Sequence, residues 1–259
     1  VGGIRITAEG LGLKGPRGWA FRGVDLDAEP GSLLAIEGPS GSGRTSLLLA
    51  LTGRMKATAG TATVGTARLP KQSAAVRRIS ALAHVAGVTD LDPALTVGEH
   101  LRERALLQRR FGTSVRELLR PRAQRATETG LRIDTALGAA GLDRAALPKG
   151  ARTAVRDLER IEALRLSVAL ALVGRPTLLG VDDTDLKLSE AERAEVWDLL
   201  RSIAASGTTV LAVCAEAPEG TAKVCTRTRD DEKTDAKTDD ETDDETEEKA
   251  DALAETGRA

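Results

Sequence analysis

Residues 33–46 read Leu33-Leu34-Ala35-Ile36-Glu37-Gly38-Pro39-Ser40-Gly41-Ser42-Gly43-Arg44-Thr45-Ser46, and this stretch decides the fold class. Its first four residues form a continuous apolar run, the pattern of a strand buried on both faces. Three glycines then fall within six residues, followed by Thr45 and an apolar, helix-like run to Leu51. Gly38 to Thr45 follows the phosphate-loop pattern G-x-x-x-x-G-K-[ST] at every defined position but one. Glycines let the backbone curl so that successive N–H groups point inward, and the helix behind the loop offers its positive end to phosphate. Thr45 is placed to set a hydroxyl on a magnesium ion, and Ser46 to reach an inner phosphate. Arg44 replaces the lysine of the pattern. It keeps the charge but changes the geometry, because a planar guanidinium cannot stand in for a compact ammonium without moving contacts. A chance glycine turn before a helix is the plain alternative; the strand before it and the helix after it argue for the loop.

Further along, Leu178-Leu179-Gly180-Val181 closes on Asp182-Asp183. An apolar strand ending in a carboxylate is by itself equally an ordinary strand end. In this order after a phosphate loop, Asp182 would hold magnesium through water from the side opposite Thr45. Other strand-like runs lie at 4–8, 21–28, 33–37 and 209–214. Helical patterns occupy most of 98–147 and resume after Asp157, with Ile161, Leu164, Val168 and Leu172 on one face. Ser189 and Glu192 form a capping box. Behind it Val196, Leu199, Leu200 and Ile203 repeat at helical spacing up to a stop at Gly207. Strands alternating with helices predict an α/β domain with a largely parallel sheet, here over residues 1–228 with a helical lobe at about 98–150.

The near-neutral charge of −2 conceals an asymmetry. Residues 229–259 hold 14 acids against 5 bases, a net of −9, which leaves 25 acids and 32 bases, a net of +7, in residues 1–228. With little apolar content and many like charges, 229–259 reads as a disordered acidic tail. Eight arginines against three glutamates between Gly98 and Ala126, Arg102, Arg109, Arg116 and Arg125 among them, make a basic stretch. It reads as a solvated helical face, with anionic lipid, nucleic acid or the tail as alternatives. Leu106, Val115, Leu118 and Leu119 supply its apolar contacts, and Pro121 interrupts it. The aromatics are Trp19, Phe21, Phe111 and Trp197, with no tyrosine, which disfavours an aromatic nucleic-acid platform, and no specific nucleic-acid binding is expected. Two cysteines, Cys214 and Cys225, exclude a disulfide framework and suit a reducing compartment. No apolar stretch approaches the roughly 18–20 residues needed to cross a bilayer, and no signal-peptide run opens the chain, so a cytoplasmic location is expected. His84 and His100 are isolated and read as surface or packing histidines. Trp197 reads as core.

With these motifs in place, residues 2–216 resemble the ATP-binding cassette of ABC transporters. The likeness rests on the phosphate loop, the Walker B-like 178–182, and several connecting stretches. Residues 25–31 (DLDAEPG) are similar to the segment entering the loop, and 51–54 (LTGR) and 60–65 (GTATVG) to the turns that follow it. Residues 91–99 (LDPALTVGE) resemble the stretch after the family's Q-loop, and 168–176 (VALALVGRP) the run into Walker B. The resemblance implies the P-loop NTPase fold of ABC-cassette type. It also implies ATP with Mg²⁺ bound by Gly38, Pro39, Ser40, Gly41, Ser42, Gly43, Arg44, Thr45 and Ser46, with Thr45 and Asp182 on the metal. A membrane permease is the implied partner, with a second cassette as a candidate heterodimer partner.

The family's catalytic set is largely missing. Counted back from Pro176, the signature Leu-Ser-Gly-Gly-Gln falls on Leu158-Glu159-Arg160-Ile161-Glu162. Glu159 would set a carboxylate near a triphosphate, and Ile161 removes the close backbone approach that glycine allows. The sensing glutamine is expected near Ala86 or Gly87, and the switch histidine at Ala215. The general-base position holds Asp183, whose shorter side chain withdraws the carboxylate by roughly 1.5 Å. Misplacements of about 1 Å can cost on the order of 10²-fold. Only Trp19 and, second, Phe21 could stack on adenine. The resemblance thus implies weak or absent hydrolysis, with Asp183 and Arg44 as the residues to carry any turnover. A nucleotide-sensing regulatory or scaffold protein is the alternative. A small-metabolite kinase is a more distant one, against which the cassette-like spacing speaks.

Overall fold

In the computed structural model, which describes residues 2–111 and 122–226, the run 33–36 lies in strand β3 (Leu33–Glu37). Val115, Arg116, Leu118, Leu119, Pro121 and the acidic stretch 229–259 fall outside the described residues. β3 belongs to a five-stranded sheet with β6 (Ser80–Ala83), β7 (Leu178–Val181), β8 (Thr209–Cys214) and β9 (Ala222–Cys225), in the order β6-β7-β8-β3-β9. Every neighbouring pair is parallel. β6, β7 and β8 are buried at every residue, which is why their sequences run apolar without alternating.

The two faces of this sheet go to two cores. Leu34, Ile36, Leu178, Leu211 and Val213 face one; Ala35, Leu179, Val181, Val210 and Ala212 face the other. Alternation of side chains along a strand divides them. On the first face lies α1 (Arg44–Leu51), whose Leu47, Leu48 and Leu51 have no solvent exposure. Burial of each such leucine contributes about 1.5–3 kcal/mol. Beyond α1 an antiparallel sheet closes the layer. It is built from β1 (Ile6–Gly15), β2 (Gly18–Ala28), β4 (Ala59–Val64) and β5 (Ala67–Leu69), ordered β2-β1-β4-β5. Ile6, Leu11, Phe21 and Val24 bring it into the same core as α1.

A short α2 (Ser73–Ile79) leads into β6. The second face is covered by helices: α3 (Val97–Phe111), α4 (Arg122–Ala139), α5 (Arg160–Leu172) and α6 (Glu190–Ala205). Trp197 is 2 % exposed in that core, as its helical position predicts. The capping box expected at Ser189 is present, with the Ser189 N–H donating to Glu192 Oε2 at 2.7 Å. Thr96 and Glu99 make the same arrangement ahead of α3, in a Thr-Val-Gly-Glu sequence with the same spacing. Among the described residues no helix is long and apolar enough to cross a membrane.

Two readings need correction. The first strand runs to Gly15 rather than ending at residue 8, because the β1–β2 hairpin pairs as far as Gly15 with Gly18. Residues 60–65, expected as a turn, lie mostly in β4, where Val64 pairs with Ile6 and Ala62 with Ala8. Pairing across some 55 positions of sequence overrides a weak local pattern of alanine, threonine and glycine.

The two thiols differ sharply. Cys214 has no exposure, and burial pushes its thiol up to about 12, whereas Cys225 is exposed at the end of β9. Native protein should therefore release one equivalent of thionitrobenzoate from a disulfide reagent at neutral pH, and two after denaturation. Two fast equivalents in the native state would contradict this packing, since only thiolate reacts.

Candidate functional site

In parallel sheets ligands gather beyond the carboxyl ends of the strands. Five segments leave that edge here: the glycine loop after β3, His84 after β6, Asp182-Asp183 after β7, Ala215 after β8 and Thr226 after β9. Convergence of the first and third puts the Thr45 hydroxyl 2.8 Å from Asp182 Oδ2, to which it donates a hydrogen bond. These residues are 137 positions apart, and they are the two expected to hold the metal.

The loop takes its shape from glycine at two points. Gly41 has φ +84° with open space around its α-carbon. Gly43 has φ +85°, and a β-carbon there would fall 1.9 Å from the carbonyl oxygen of Ala20. Ser42 turns inward, 4 % exposed, and its hydroxyl meets that of Thr226. Pro39 and Ser40 face solvent. α1 then begins with no side-chain cap and no acid in its first turn, so its leading amides, with Arg44, Thr45 and Ser46 at that end, are open to an anion. Behind the loop, Glu37 accepts from the Ala217 N–H at 2.8 Å and from Lys223 Nζ at 3.0 Å. The Ala217 N–H, followed by Lys223, holds the Glu37 carboxyl below its usual range.

Asp182 is 3 % exposed, and burial pushes its carboxyl above the usual range despite the hydrogen bond from Thr45. Asp182 Oδ1 accepts from the Asp183 N–H at 3.0 Å. A buried carboxylate and a hydroxyl side by side, with Arg44 within electrostatic reach, form an oxygen donor set that fits a hard divalent cation carrying phosphate oxygens. Asp183 follows with φ 49°, half-buried beside them. Trp19 lies in β2 over Gly12, with Lys14 Nζ and Arg22 Cζ each 5.6 Å from its ring centroid. Its neighbour Ala20 is the residue pressed against Gly43, so Trp19 sits one residue from the loop. Phe21 is 2 % exposed in the core and has no face free for a base.

Three residues at this edge escaped sequence reading. Thr226, the last described residue, just past β9, pins Ser42 and donates its N–H to Glu37 O at 3.0 Å. Asp185 accepts from the Ala215 N–H and ties the segment after β7 to the end of β8. His84 is half-buried at the carboxyl edge of β6, in register with Asp182, as a packing histidine would be. Burial holds its imidazole below the usual pKa, with Asp183, Arg160 and Asp90 the charges that act on it. Ala86 and Gly87, where a sensing glutamine was expected, sit in an exposed turn beyond it. No local signal marks these three, because each is brought in by strand register.

At residues 158–162, Glu159 caps α5. Glu162 Oε2 accepts from the Glu159 N–H at 2.8 Å. Arg160 Nε donates to the Leu186 carbonyl at 3.1 Å, and Ile161 is buried. That helix end is occupied by its own acids.

The domain family described as ABC transporter matches residues 21–185. The chain belongs to the ABC transporter family. Among curated relatives, the Nod factor export ATP-binding protein I of Cupriavidus metallidurans is 30 % identical over 188 residues, covering 73 % of this chain and 55 % of the relative. The daunorubicin resistance ATP-binding protein DrrA3 of Streptomyces coeruleorubidus is 30 % identical over 207 residues, covering 80 % and 58 %. The cassette chain thus spans a little over half the length of these relatives. A dimeric ATP-binding cassette in a post-hydrolysis state with ADP and Pi superposes with TM-score 0.62 at 21 % identity, over 82 % of this chain and 88 % of that one. CbiO1 of Clostridium perfringens, part of the ABC transporter complex cbiONQ, gives TM-score 0.64 at 18 % identity, over 82 % and 78 %. The fold is therefore the P-loop NTPase fold of ABC-cassette type, with a parallel sheet, an antiparallel sheet and a helical layer.

Proposed function

We propose that this ABC-family chain is the cytoplasmic nucleotide-binding subunit of a membrane transporter, and that it binds ATP with Mg²⁺ while hydrolysing it weakly or not at all. The observation that carries the binding half is the Thr45–Asp182 contact beside the uncapped start of α1. Backbone amides and Arg44 would hold phosphate, Ser46 an inner phosphate, Thr45 and Asp182 the cation, and Trp19 the base. When bound, the cation would neutralise phosphate charge and fix its orientation. Asp183 would position water, from a carboxylate one methylene short. Slow turnover is supported by the start of α5, where Glu162 takes up the Glu159 amide and two carboxylates stand where a signature motif would offer amides to phosphate. A permease partner is supported by the family and by the exposed apolar side chains Val88 and Leu107, which line a cavity of about 440 Å³ between β6, α3 and α5. The same acid-capped α5 also favours a second reading, a nucleotide-sensing regulatory or scaffold protein that has lost the motor.

Titration of the full chain with ATP and Mg²⁺, followed by phosphate release, tests both halves. Binding is expected, with turnover lowered on the order of 10²-fold or more by carboxylate misplacement alone. Failure to bind ATP or ADP at millimolar concentration removes the site assignment. Turnover that survives Asp183→Ala removes the role given to Asp183. Co-purification with a multi-span membrane protein favours transport, and with a soluble partner the regulatory reading.

A further inference from the structure

We propose that Thr226 is a positioning residue for the phosphate loop, holding Ser42 so that the loop amides are set for phosphate before nucleotide arrives. The proposal rests on the nucleotide-binding reading above and concerns a residue outside the loop, 184 positions from Ser42.

Ser42 stands between Gly41 and Gly43, at φ +84° and +85°, so the backbone on either side of it has no side chain of its own to fix it. Glycine loses more conformational freedom on ordering than any other residue. The Ser42 N–H donates to the Pro39 carbonyl at 3.2 Å, a bond internal to the loop that does not tie it to the sheet. Among the described residues that tie is the Ser42 hydroxyl, which meets the hydroxyl of Thr226, with both residues 4 % exposed. Gly38 leaves room for the pair. A β-carbon there would lie 2.5 Å from Thr226 Oγ1 and 2.7 Å from Ser42 Oγ.

Thr226 is itself held on the parallel sheet. It follows the last β3–β9 pair, Glu37 with Cys225, and donates its N–H to the Glu37 carbonyl at 3.0 Å, with its hydroxyl 3.4 Å from the same oxygen. Lys223 Nζ, 3.0 Å from the Glu37 carboxylate, is a second link between β9 and the residue that enters the loop. The loop is thus anchored through one hydroxyl to a strand that is fixed at both backbone and side chain. A buried hydroxyl left without its partner is costly. Without the Thr226 hydroxyl, Ser42 regains a partner by turning to water, and the backbone of 41–43 turns with it. The free chain then samples loop shapes that do not cradle phosphate, and its apparent affinity falls by the fraction that still does.

Full-length protein would be titrated with ATP and Mg²⁺ by calorimetry as the unmutated chain, Thr226→Val and Thr226→Ser, and each would be melted without nucleotide. Thr226→Val keeps the shape of the side chain but not its hydroxyl and should weaken binding about tenfold, whereas Thr226→Ser should bind within about twofold of the unmutated chain. Hydrogen exchange at amides 40–43 of the nucleotide-free protein should quicken in Thr226→Val while the amides of β3 and β9 stay protected. Should Thr226→Val fail to fold, Thr226→Ala carries the same expectations. A lowered melting temperature with unchanged affinity and unchanged loop exchange would make Thr226 a packing residue and overturn the proposal. So would a loss in Thr226→Ser as large as that in Thr226→Val. Either result leaves the nucleotide reading intact, whereas no binding by the unmutated chain at millimolar nucleotide overturns both.

Discussion

Gly43→Ala should abolish nucleotide binding and destabilise the chain by about 3 kcal/mol, combining left-handed backbone strain with overpacking. At φ +85° any L-residue is strained, and here its β-carbon would also meet the Ala20 carbonyl at 1.9 Å. Neither wall can yield cheaply, since Ala20 is held in β2 and Gly43 opens α1. Relief would have to come from lifting the loop off the antiparallel sheet, which moves the amides that face phosphate. Gly41→Ala is the control. Its φ of +84° is nearly the same, but a β-carbon there meets nothing within 4 Å, so only the strain of about 1–2 kcal/mol applies. Urea unfolding of both variants beside a nucleotide titration separates the two costs. Equal losses would show that Ala20 does not press on Gly43.

Asp182→Asn should raise the stability of the nucleotide-free chain at neutral pH while weakening metal-dependent nucleotide binding by about 10–100-fold, the usual cost of losing a carboxylate that holds a metal through its bound water. Burial holds this carboxyl above its ordinary value of 3.8, and the neighbouring Asp183 charge adds to the shift. The folded chain therefore binds this proton more tightly than the unfolded one. Its favourable contribution is complete below the ordinary value and is lost as pH rises through the raised, folded value. At pH 7 the charged side chain opposes folding, and asparagine removes the charge while keeping an acceptor for Thr45. The melting temperature of Asp182→Asn should exceed that of the unmutated chain at pH 7, and the gap should narrow toward pH 4. Addition of Mg²⁺ and nucleotide should reverse the order, since only the carboxylate gains a cation. A variant less stable at pH 7 would mean that Thr45 and the helix end already compensate the charge.

These two residues show which parts of the site were legible. Gly43 stands in a pattern whose spacing has a local backbone cause, and Asp182 closes a continuous apolar run, so each is marked by its immediate neighbours. His84, Asp185 and Thr226 are not. His84 reaches the edge because Ala83 pairs with Val181, about a hundred positions away, and Thr226 because β9 adds beside β3. Glu159 was read as a charge set where phosphate would approach. Its second role, capping its own helix by giving its N–H to Glu162, depends on where α5 begins.

From residues 33–46 and 178–183, then, the sequence by itself determined the α/β class, the glycine loop and the pairing of Thr45 with Asp182, because a buried parallel strand must be apolar throughout and a tight loop of this shape needs glycine. The tertiary structure alone decided the rest. It converted residues 60–65 from a turn into a strand, committed Phe21 to the core and left Trp19 beside the loop, and brought His84 to the strand edge that carries Asp182. Strand register is the reason. It is fixed by hydrogen bonding and packing between distant segments, and no single segment carries the information.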